Sequence, residues 1–299
     1  MKISNPIISI FCALALCACG EKKDYETSGV FEATEVVVSA EASGKILKLD
    51  AEEGTLLKKG EVVGIIDSVQ LELAREKALA DIAALESRLP DIPVQLAPLR
   101  ERLAKQKFEE ARFKKLVASD SANKKQLQDI ESEIEVLSRQ IDAARSELEK
   151  TSANIAESVK ALKIQVKIFE DQISKSKIVN PIGGTVLVKY AEAGEFAAVG
   201  RGLYKIADVS SLYLRAYFTD AQLTKLKLGQ KLKLRADFGR DGSRAYEGEI
   251  TWIADKAEYT PKGVRNRDER ADLVYAVKIL VKNDGYLKIG QYAEVETFE

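Results

Sequence analysis

The sequence contains no histidine, and its three cysteines, Cys12, Cys17 and Cys19, all lie close to the N-terminus. Histidine is the usual general base near neutral pH and the commonest metal ligand, so both roles are unfilled. The rest of the chain has no thiol for a disulfide, a zinc site or a nucleophile. Carboxylates, hydroxyls and lysines remain, but no spacing pairs them as acid–base or nucleophilic catalysis requires. We therefore expect no enzyme and no catalytic, metal or cofactor site.

An excess of charge of one sign is missing as well. The formal net charge is −1 over 299 residues, although 31% of them are charged. This near-neutral balance gives no electrostatic argument for nucleic-acid binding, which would favour a basic face. Aromatic residues make up only 7% of the chain. Such a composition is typical of long solvated helices rich in Glu, Lys and Arg.

The N-terminal segment predicts export and lipidation. An apolar core of about ten residues, at positions 6–16, is too short to span a bilayer. Leu16-Cys17-Ala18-Cys19 resembles a bacterial lipobox, with a small residue directly before Cys19. We expect a signal peptide at residues 1–18, lipidation (palmitate among the acyl chains) of Cys19, and a polar tether over residues 19–30, because multiple acyl chains form a firm anchor. An ordinary signal peptide or an uncleaved anchor is the alternative.

A glycine-spaced pattern occurs twice. In both copies the glycines are ten and then six residues apart and an Asp follows, as Gly44, Gly54, Gly60 and Asp67 and again as Gly184, Gly194, Gly200 and Asp208. The β-branched stretches between the glycines predict short strands with turns at the glycines. We expect residues 43–68 and 177–208 to be two halves of one β domain. Residues 31–42 are predicted to be a strand that joins a later barrel.

Residues 69–176 have a helical period instead, with apolar residues at spacings of three and four. Prolines between residues 90 and 98 interrupt the outgoing pattern, and a stutter near Thr151 interrupts the returning heptads. If the segment folds back at about Asp120, these two breaks face each other. We therefore expect an antiparallel coiled-coil hairpin reaching roughly 75 Å, at 1.5 Å per residue. A compact helical bundle folded back at the prolines is the alternative.

Residues 209–299 return to a period of two. They contain five or six predicted strands and one short helix that begins at Asp220 and ends at Gly229. Short strands of this kind with turn signals between them indicate a small β-barrel.

The two half-repeats resemble the halves of a biotinyl/lipoyl-type domain. Such a carrier domain holds its cofactor on a lysine between the halves. Here Asp67 runs into helix at that place, and Lys58 and Lys59, which precede Gly60, match a different position. We therefore expect no attached cofactor.

The order of a split lipoyl-like domain, a helical hairpin and a barrel resembles the periplasmic adaptor, or membrane fusion, family of the HlyD type. The resemblance covers nearly all of residues 31–299 and rests on Gly44-KILKLDAEEG, Ile178-VNPIGGTVL, Gly194-EFAAVG and residues 209–230. Residues 259–279 look like the subgroup that serves ABC-type exporters. The fold class it implies is an elongated α+β multidomain protein: a split lipoyl-like β domain interrupted by a long antiparallel coiled-coil hairpin (residues 69–176) and followed by a small β-barrel.

The function implied by the resemblance is that of a non-enzymatic adaptor in a tripartite efflux or secretion system. It would link an inner-membrane transporter, an ABC permease, to an outer-membrane channel as a homo-oligomeric ring, expected to be a hexamer. It would reside in the periplasm of the cell envelope, lipid-anchored to the inner membrane. We expect the barrel loop at residues 255–270 to meet the transporter. The alternatives are a structural envelope-spacing lipoprotein without a transport role, and an adaptor for a proton-driven transporter.

The family carries a channel-contacting pattern at its hairpin tip: an Arg, a Leu four residues later, and a Ser seven residues beyond that. Arg112 and Leu116 match here, and Asn123 stands at the third position. Because Asn also caps helices, we carry the position over to Asn123. Four lysines flank the tip and would favour an acidic channel entrance, namely Lys114, Lys115, Lys124 and Lys125. A plain solvated face is the alternative reading of this charge.

Overall fold

The computed structural model describes residues 25–238, 242–259 and 273–296. These residues form a barrel sheet, two smaller four-stranded sheets and a set of long helices. The predicted mixture of α and β structure in separate parts of the chain is confirmed.

The two glycine-spaced copies build the two smaller sheets together. The first copy, together with the strand just before it, supplies β2 (Glu35–Ser39), β3 (Gly44–Leu49), β4 (Leu56–Leu57) and β5 (Val62–Ile66), and the second supplies β6 (Lys177–Val179), β7 (Gly184–Lys189), β8 (Phe196–Ala197) and β9 (Gly202–Ala207). The strand orders are β2-β9-β7-β4 and β6-β5-β3-β8. Each sheet therefore takes two strands from each copy, and neither half has a complete sheet without the other.

The backbone hydrogen bonds repeat between the copies. In one half the Ala40 amide donates to the Arg201 carbonyl and the Gly200 amide donates to Ala40, both at 2.8 Å. In the other half the Asn180 amide donates to Glu61 and the Gly60 amide donates to Asn180, again at 2.8 Å. The glycines at the turns, among them Gly60 and Gly200, have positive φ, which a residue without Cβ adopts at little cost. The equal glycine spacing thus corresponds to an internal two-fold repeat of the backbone.

Three long helices lie between β5 and β6. They are α1 (Val69–Glu86), α2 (Ile92–Ala118) and α3 (Lys124–Lys175). Ion pairs join Glu86 to Lys163, Arg102 to Glu133 and Lys114 to Glu131. In these three pairs the residue number on α1 or α2 rises while that of its partner on α3 falls. The outgoing helices therefore pack antiparallel to the returning helix. The seam near the base buries Ala78 and Ile82 against Val159 and Val166.

The breaks in the helices differ from the sequence prediction. The outgoing arm is interrupted at residues 87–91, where Asp91 caps α2 by accepting a hydrogen bond from the Val94 amide at 3.1 Å. Pro98, predicted to be part of the interruption, lies inside α2. The returning α3 is continuous over 52 residues, including the stutter at Thr151. A stutter changes the side-chain phase without removing a backbone donor, so it does not end a helix.

The second large unit is a closed barrel. Its strands are β1 (Tyr25–Glu32), β10 (Ser211–Thr219), β11 (Lys231–Asp237), β12 (Ser243–Ile253), β14 (Leu273–Lys282) and β15 (Tyr292–Glu296). They pair in the order β10-β1-β15-β11-β12-β14, and pairing of β14 with β10 closes the ring. The short strand β13 (Glu258–Tyr259) pairs with the start of β14, and α4 (Asp220–Leu223) follows β10. Inward side chains such as Phe31, Leu214 and Ile279 are fully buried in the barrel core.

The prediction that residues 31–42 form one strand joining the barrel is wrong in its boundaries. The strand that enters the barrel is β1, which begins at Tyr25 inside the predicted tether. Residues 35–39 form β2, which pairs with β9 in a smaller sheet. The chain changes cores between the two strands, because Phe31 is buried in the barrel and Val38 in the split sheets. Apolar and β-branched residues on both sides of Ala33 and Thr34 conceal this change in the sequence.

Candidate docking site at the hairpin tip

The turn between α2 and α3 is compact. The Ser121 amide donates to the Leu116 carbonyl at 2.8 Å, and the Asp120 amide donates to Val117 at 3.1 Å. Asp120 takes a left-handed conformation with φ of 59°. Asp tolerates this region better than most residues, because its short polar side chain bonds locally. The chain therefore reverses within residues 119–123, at the place where the sequence predicts the fold-back.

Asn123 begins the returning helix. Its backbone is extended and its Oδ1 accepts a hydrogen bond from the Lys125 amide at 2.9 Å. This is the N-cap arrangement, in which a side chain satisfies an amide that has no partner within the helix. The side chain is also exposed. Asn123 thus supports the turn and still lies on its surface.

Arg112 and Leu116 are one helical turn apart on α2, so they lie on one face of that helix. The Arg112 side chain is 63% exposed, and its Nη1 is 3.5 Å from Glu109 Oε2. Leu116 is half-buried. The structure places all three predicted tip residues on the last turns and the connecting loop, where a partner can reach them.

The charge of the tip is lower than the four lysines suggest. Lys114 Nζ lies 2.5 Å from Glu110 and 3.6 Å from Glu131 on α3. The hydrogen bond that Lys114 donates to Glu110 is the main cause of the raised pKa of Lys114. Lys114 therefore pairs internally and ties α2 to α3. Lys115 and two lysines at the start of α3 remain exposed, without an ion pair to any other described residue.

The base of the hairpin contains a buried polar group that the sequence analysis missed. Asn180 is fully buried, and its Nδ2 donates to the carbonyls of Lys58 at 3.0 Å and Ile182 at 2.6 Å. The hydroxyl of Tyr204 donates to its Oδ1 at 3.2 Å. Burial raises the pKa of Tyr204 to about 12. The side chain of Asn180 therefore ties the first copy to the second, directly below the helices.

The connection from β5 to α1 differs from the lysine-bearing hairpin of a biotinyl/lipoyl carrier domain. β5 ends at Ile66, and the Val69 amide at the start of α1 donates to Asp67 Oδ1 at 3.1 Å. No lysine lies in this two-residue connection. The equivalent Asp208 accepts from the amide and the hydroxyl of Ser210, and these bonds lower its pKa. The same local turn thus leads into a helix after one copy and into the barrel after the other.

A groove of about 560 Å³ lies where the split sheets meet the barrel. Its lining is mainly apolar and includes Leu56, Leu187 and Leu287, with Asp208 and Lys288 as charged members. Within the described part of the chain, no three His, Cys, Asp or Glu residues are grouped as a metal site would require. The groove therefore offers apolar surface and two isolated charges.

Two predicted sites lie outside the described residues. They are Cys19 and most of the barrel loop at residues 255–270. Of that loop, Tyr259 is described and is 75% exposed. No described helix combines the length and the apolar composition that crossing a membrane needs.

The chain is similar in sequence to membrane proteins of the UPF0194 group. No protein-family profile matches the chain. The membrane protein YbhG of the UPF0194 group from Salmonella gallinarum is 24% identical over 285 residues, which cover 87% of this chain and 85% of YbhG. A UPF0194 membrane protein from Yersinia enterocolitica is 23% identical over 266 residues, covering 80% of this chain and 78% of that protein.

Among solved structures, MacA from Actinobacillus actinomycetemcomitans is similar with a TM-score of 0.55 and 21% identity, over 90% of this chain and 77% of MacA. The membrane fusion protein Spr0693 from Streptococcus pneumoniae is similar with a TM-score of 0.52 and 17% identity, over 90% of this chain and 99% of Spr0693. The resemblance predicted from the sequence is thereby confirmed: the chain has the fold of the membrane fusion, or periplasmic adaptor, proteins.

Proposed function

We propose that the chain is the periplasmic adaptor subunit of a tripartite efflux or secretion system. It links an inner-membrane transporter of the ABC type to an outer-membrane channel and performs no chemical step. The observation that carries the proposal is the split β domain, whose two halves are completed by each other while the helices leave from between them. A domain divided in this way fixes both ends of a projecting arm on one base.

The proposed mechanism is geometric. A straight helix of 52 residues is about 78 Å long at 1.5 Å per residue. We propose that α1, α2 and α3 form a coiled-coil hairpin that spans this distance toward the channel. The barrel (β1 with residues 209–299) and the split sheets (β2 with residues 43–68 and 177–208) form the part that surrounds the transporter exit. Ring assembly, as a hexamer, joins copies through repeated head-to-tail faces.

The membrane end is proposed to be held by acylated Cys19 on the periplasmic side of the inner membrane. Because a single acyl chain binds only marginally, the multiple chains of a lipoprotein are what give a stable anchor. The likeness of residues 259–279 to adaptors of ABC exporters supports that transporter class over a proton-driven one.

The decisive experiment is affinity purification of the tagged chain from its own cells, combined with deletion of its gene. We expect an ABC permease to co-purify and export of drugs or toxins to fall in the deletion strain. Normal export together with no permease partner would refute the adaptor function and favour an envelope spacer. Recovery of a proton-driven permease instead would refute only the transporter class.

The channel contact is proposed to involve Arg112, Leu116 and Asn123. We expect Leu116→Asp to abolish cross-linking to the channel and export, because a charge would replace a half-buried apolar contact. Asn123→Ser replaces the capping amide oxygen with a hydroxyl that can also cap, and should retain export, whereas Asn123→Ala should cost about 1 kcal/mol of stability by removing the cap. Asn154→Ala, at an exposed position in the middle of α3, is the matched control. Full export by Leu116→Asp would exclude the tip contact.

A further inference from the structure

One rim of the barrel faces away from the split sheets. The connections from β1 to β2 and from β9 to β10 both lie at the opposite rim. The rim in question, called the free rim here, holds the start of β1, the end of β10 and the start of β14. The strand register places these together, since Thr219 is opposite Val274 and Tyr25 is opposite Glu296. The turn before β11 reaches the same rim, where Lys231 is opposite Glu249.

The free rim carries apolar side chains that the barrel leaves uncovered. Leu226 is 7% exposed and packs into the barrel core, whereas Leu228, two residues later, is 67% exposed. Tyr259 and Leu273 pair with each other across β13 and β14 and are 75% and 55% exposed. A fold that buries Leu226 has no internal use for Leu228, so this surface is available to a partner.

Lysines surround Leu228. Lys225, Lys227 and Lys231 are exposed, and none makes an ion pair with another described residue. The segment Thr224-KLKLGQK that contains them has no acidic residue. Lysines beside an exposed leucine and an exposed tyrosine are the combination found at bilayer surfaces, where apolar groups enter the headgroup region and cations meet lipid phosphates.

We propose that the free rim binds the surface of a bilayer containing anionic phospholipid. The position of β1 supports this occupant, because the strand starts at the free rim and Cys19 precedes Tyr25 by six residues. Those residues extend at most about 20 Å. An acylated Cys19 therefore holds this rim, and not the opposite one, close to the membrane. That step rests on the proposed lipid anchor, whereas the exposed leucine and the lysines do not.

The test measures vesicle binding by the free rim in the absence of the acyl anchor and of any partner protein. Purified residues 19–299 carrying Cys19→Ser are sedimented with vesicles of phosphatidylcholine alone or mixed with phosphatidylglycerol. We expect binding to the mixed vesicles that weakens with added salt. Leu228→Asp should weaken binding about tenfold or more, since a leucine no longer enters the bilayer. Lys225→Glu with Lys227→Glu should weaken it by roughly the same factor.

Matched controls lie on the split sheets. Leu56→Asp changes a side chain that is 76% exposed, and Lys58→Glu with Lys59→Glu changes two exposed lysines. These variants should bind the vesicles as the parent does. The proposal is overturned if the parent binds neither vesicle or if the controls lose as much as the rim variants. It is also overturned if Leu228→Asp binds vesicles normally but no longer co-purifies with a permease, because the rim then contacts protein. Vesicle binding combined with normal export in a deletion strain would refute the adaptor function alone.

Discussion

The two glycine-spaced copies share a backbone but differ in what they bury. At equivalent places between two backbone hydrogen bonds, the first copy has Ala40 and the second has Asn180. Ala40 packs in the apolar core, whereas Asn180 makes three side-chain hydrogen bonds that span both copies. The glycines specify the strand turns in both copies. The hydrogen bonds of Asn180, called the polar tie here, occur at only one of the two equivalent places. Asn180 lies shortly after α3, where the chain returns from the helices and pairs again with strands of the first copy.

A glycine pair tests how similar the two copies are. A Cβ at Gly184 would lie 2.4 Å from the Ala207 carbonyl oxygen, whereas at Gly44 it would lie 2.9 Å from an Ile66 methyl and 3.0 Å from the Asp67 oxygen. We expect Gly184→Ala to cost at least about 3 kcal/mol and Gly44→Ala about half as much. At Gly184 the Cβ meets backbone at 2.4 Å, whereas at Gly44 the nearest backbone atom, the Asp67 carbonyl oxygen, is 3.0 Å away and the closer Ile66 methyl can shift. Urea unfolding measures both.

The control for that pair is next to it in the chain. A Cβ at Gly183 would meet its nearest neighbour only at 4.0 Å. Gly183→Ala should therefore change the free energy of unfolding by less than about 1 kcal/mol, and in the stabilising direction. Equal losses for the Ala variants at positions 183 and 184 would mean that the close approach of β7 to β9 is not what these glycines serve.

The polar tie is tested by removing it. Asn180→Ala removes the hydrogen bonds to the Ile182 carbonyl and from the Tyr204 hydroxyl, while the Lys58 carbonyl retains a bond from the Glu61 amide at 3.3 Å. We expect a loss of about 3 kcal/mol. Ala40→Gly, at the equivalent place, removes only one methyl and should cost about 1 kcal/mol. Chemical denaturation of both variants gives the comparison, and a smaller loss for Asn180→Ala than for Ala40→Gly would contradict the assigned role.

A pH titration gives a smaller expected effect than the loss of Gly184 or of Asn180. The pKa of Tyr204 is raised to about 12 in the folded chain, while an unfolded tyrosine titrates near pH 10. The unfolded state therefore loses its proton first, so stability is complete below about pH 10 and falls by about 2 kcal/mol as the pH approaches 12. Tyr204→Phe should flatten this part of the stability profile. An unchanged profile would show that other groups dominate alkaline unfolding.

The sequence predicts the parts of this fold that local chemistry determines. Glycines at fixed spacing require turns, and apolar spacing of three and four residues requires helices, so both copies and the helical region follow directly. The prediction failed where the partner of a segment matters. The stretch from Val30 to Ser39 reads as one β-rich segment, but the buried positions shift from odd numbers, such as Phe31, to even numbers, such as Val38, where the chain changes cores. Asn180 precedes a proline and reads as a turn residue, although its alignment with Ala40 was a usable signal.

The tip shows the same limit. Asn123 was predicted as a cap from its residue type, and the hydrogen bond to the Lys125 amide is the expected one. The ion pair of Lys114 with Glu110 follows from their spacing of four residues on α2, whereas the second pair, to Glu131, comes from the facing helix and was not predictable from α2 alone. Charges counted along a sequence therefore overstate the charge that a helical hairpin presents at its end.

The uneven helices have a mechanical consequence. The outgoing arm has a joint at residues 87–91, whereas α3 runs past it without a break. Under compression along its axis, a column with two jointed arms would buckle at that level. Here α3 is continuous across that level. Bending at the joint therefore also requires α3 to lose backbone hydrogen bonds. The arm is therefore stiff against axial load and bends most easily in the plane that opens or closes the joint.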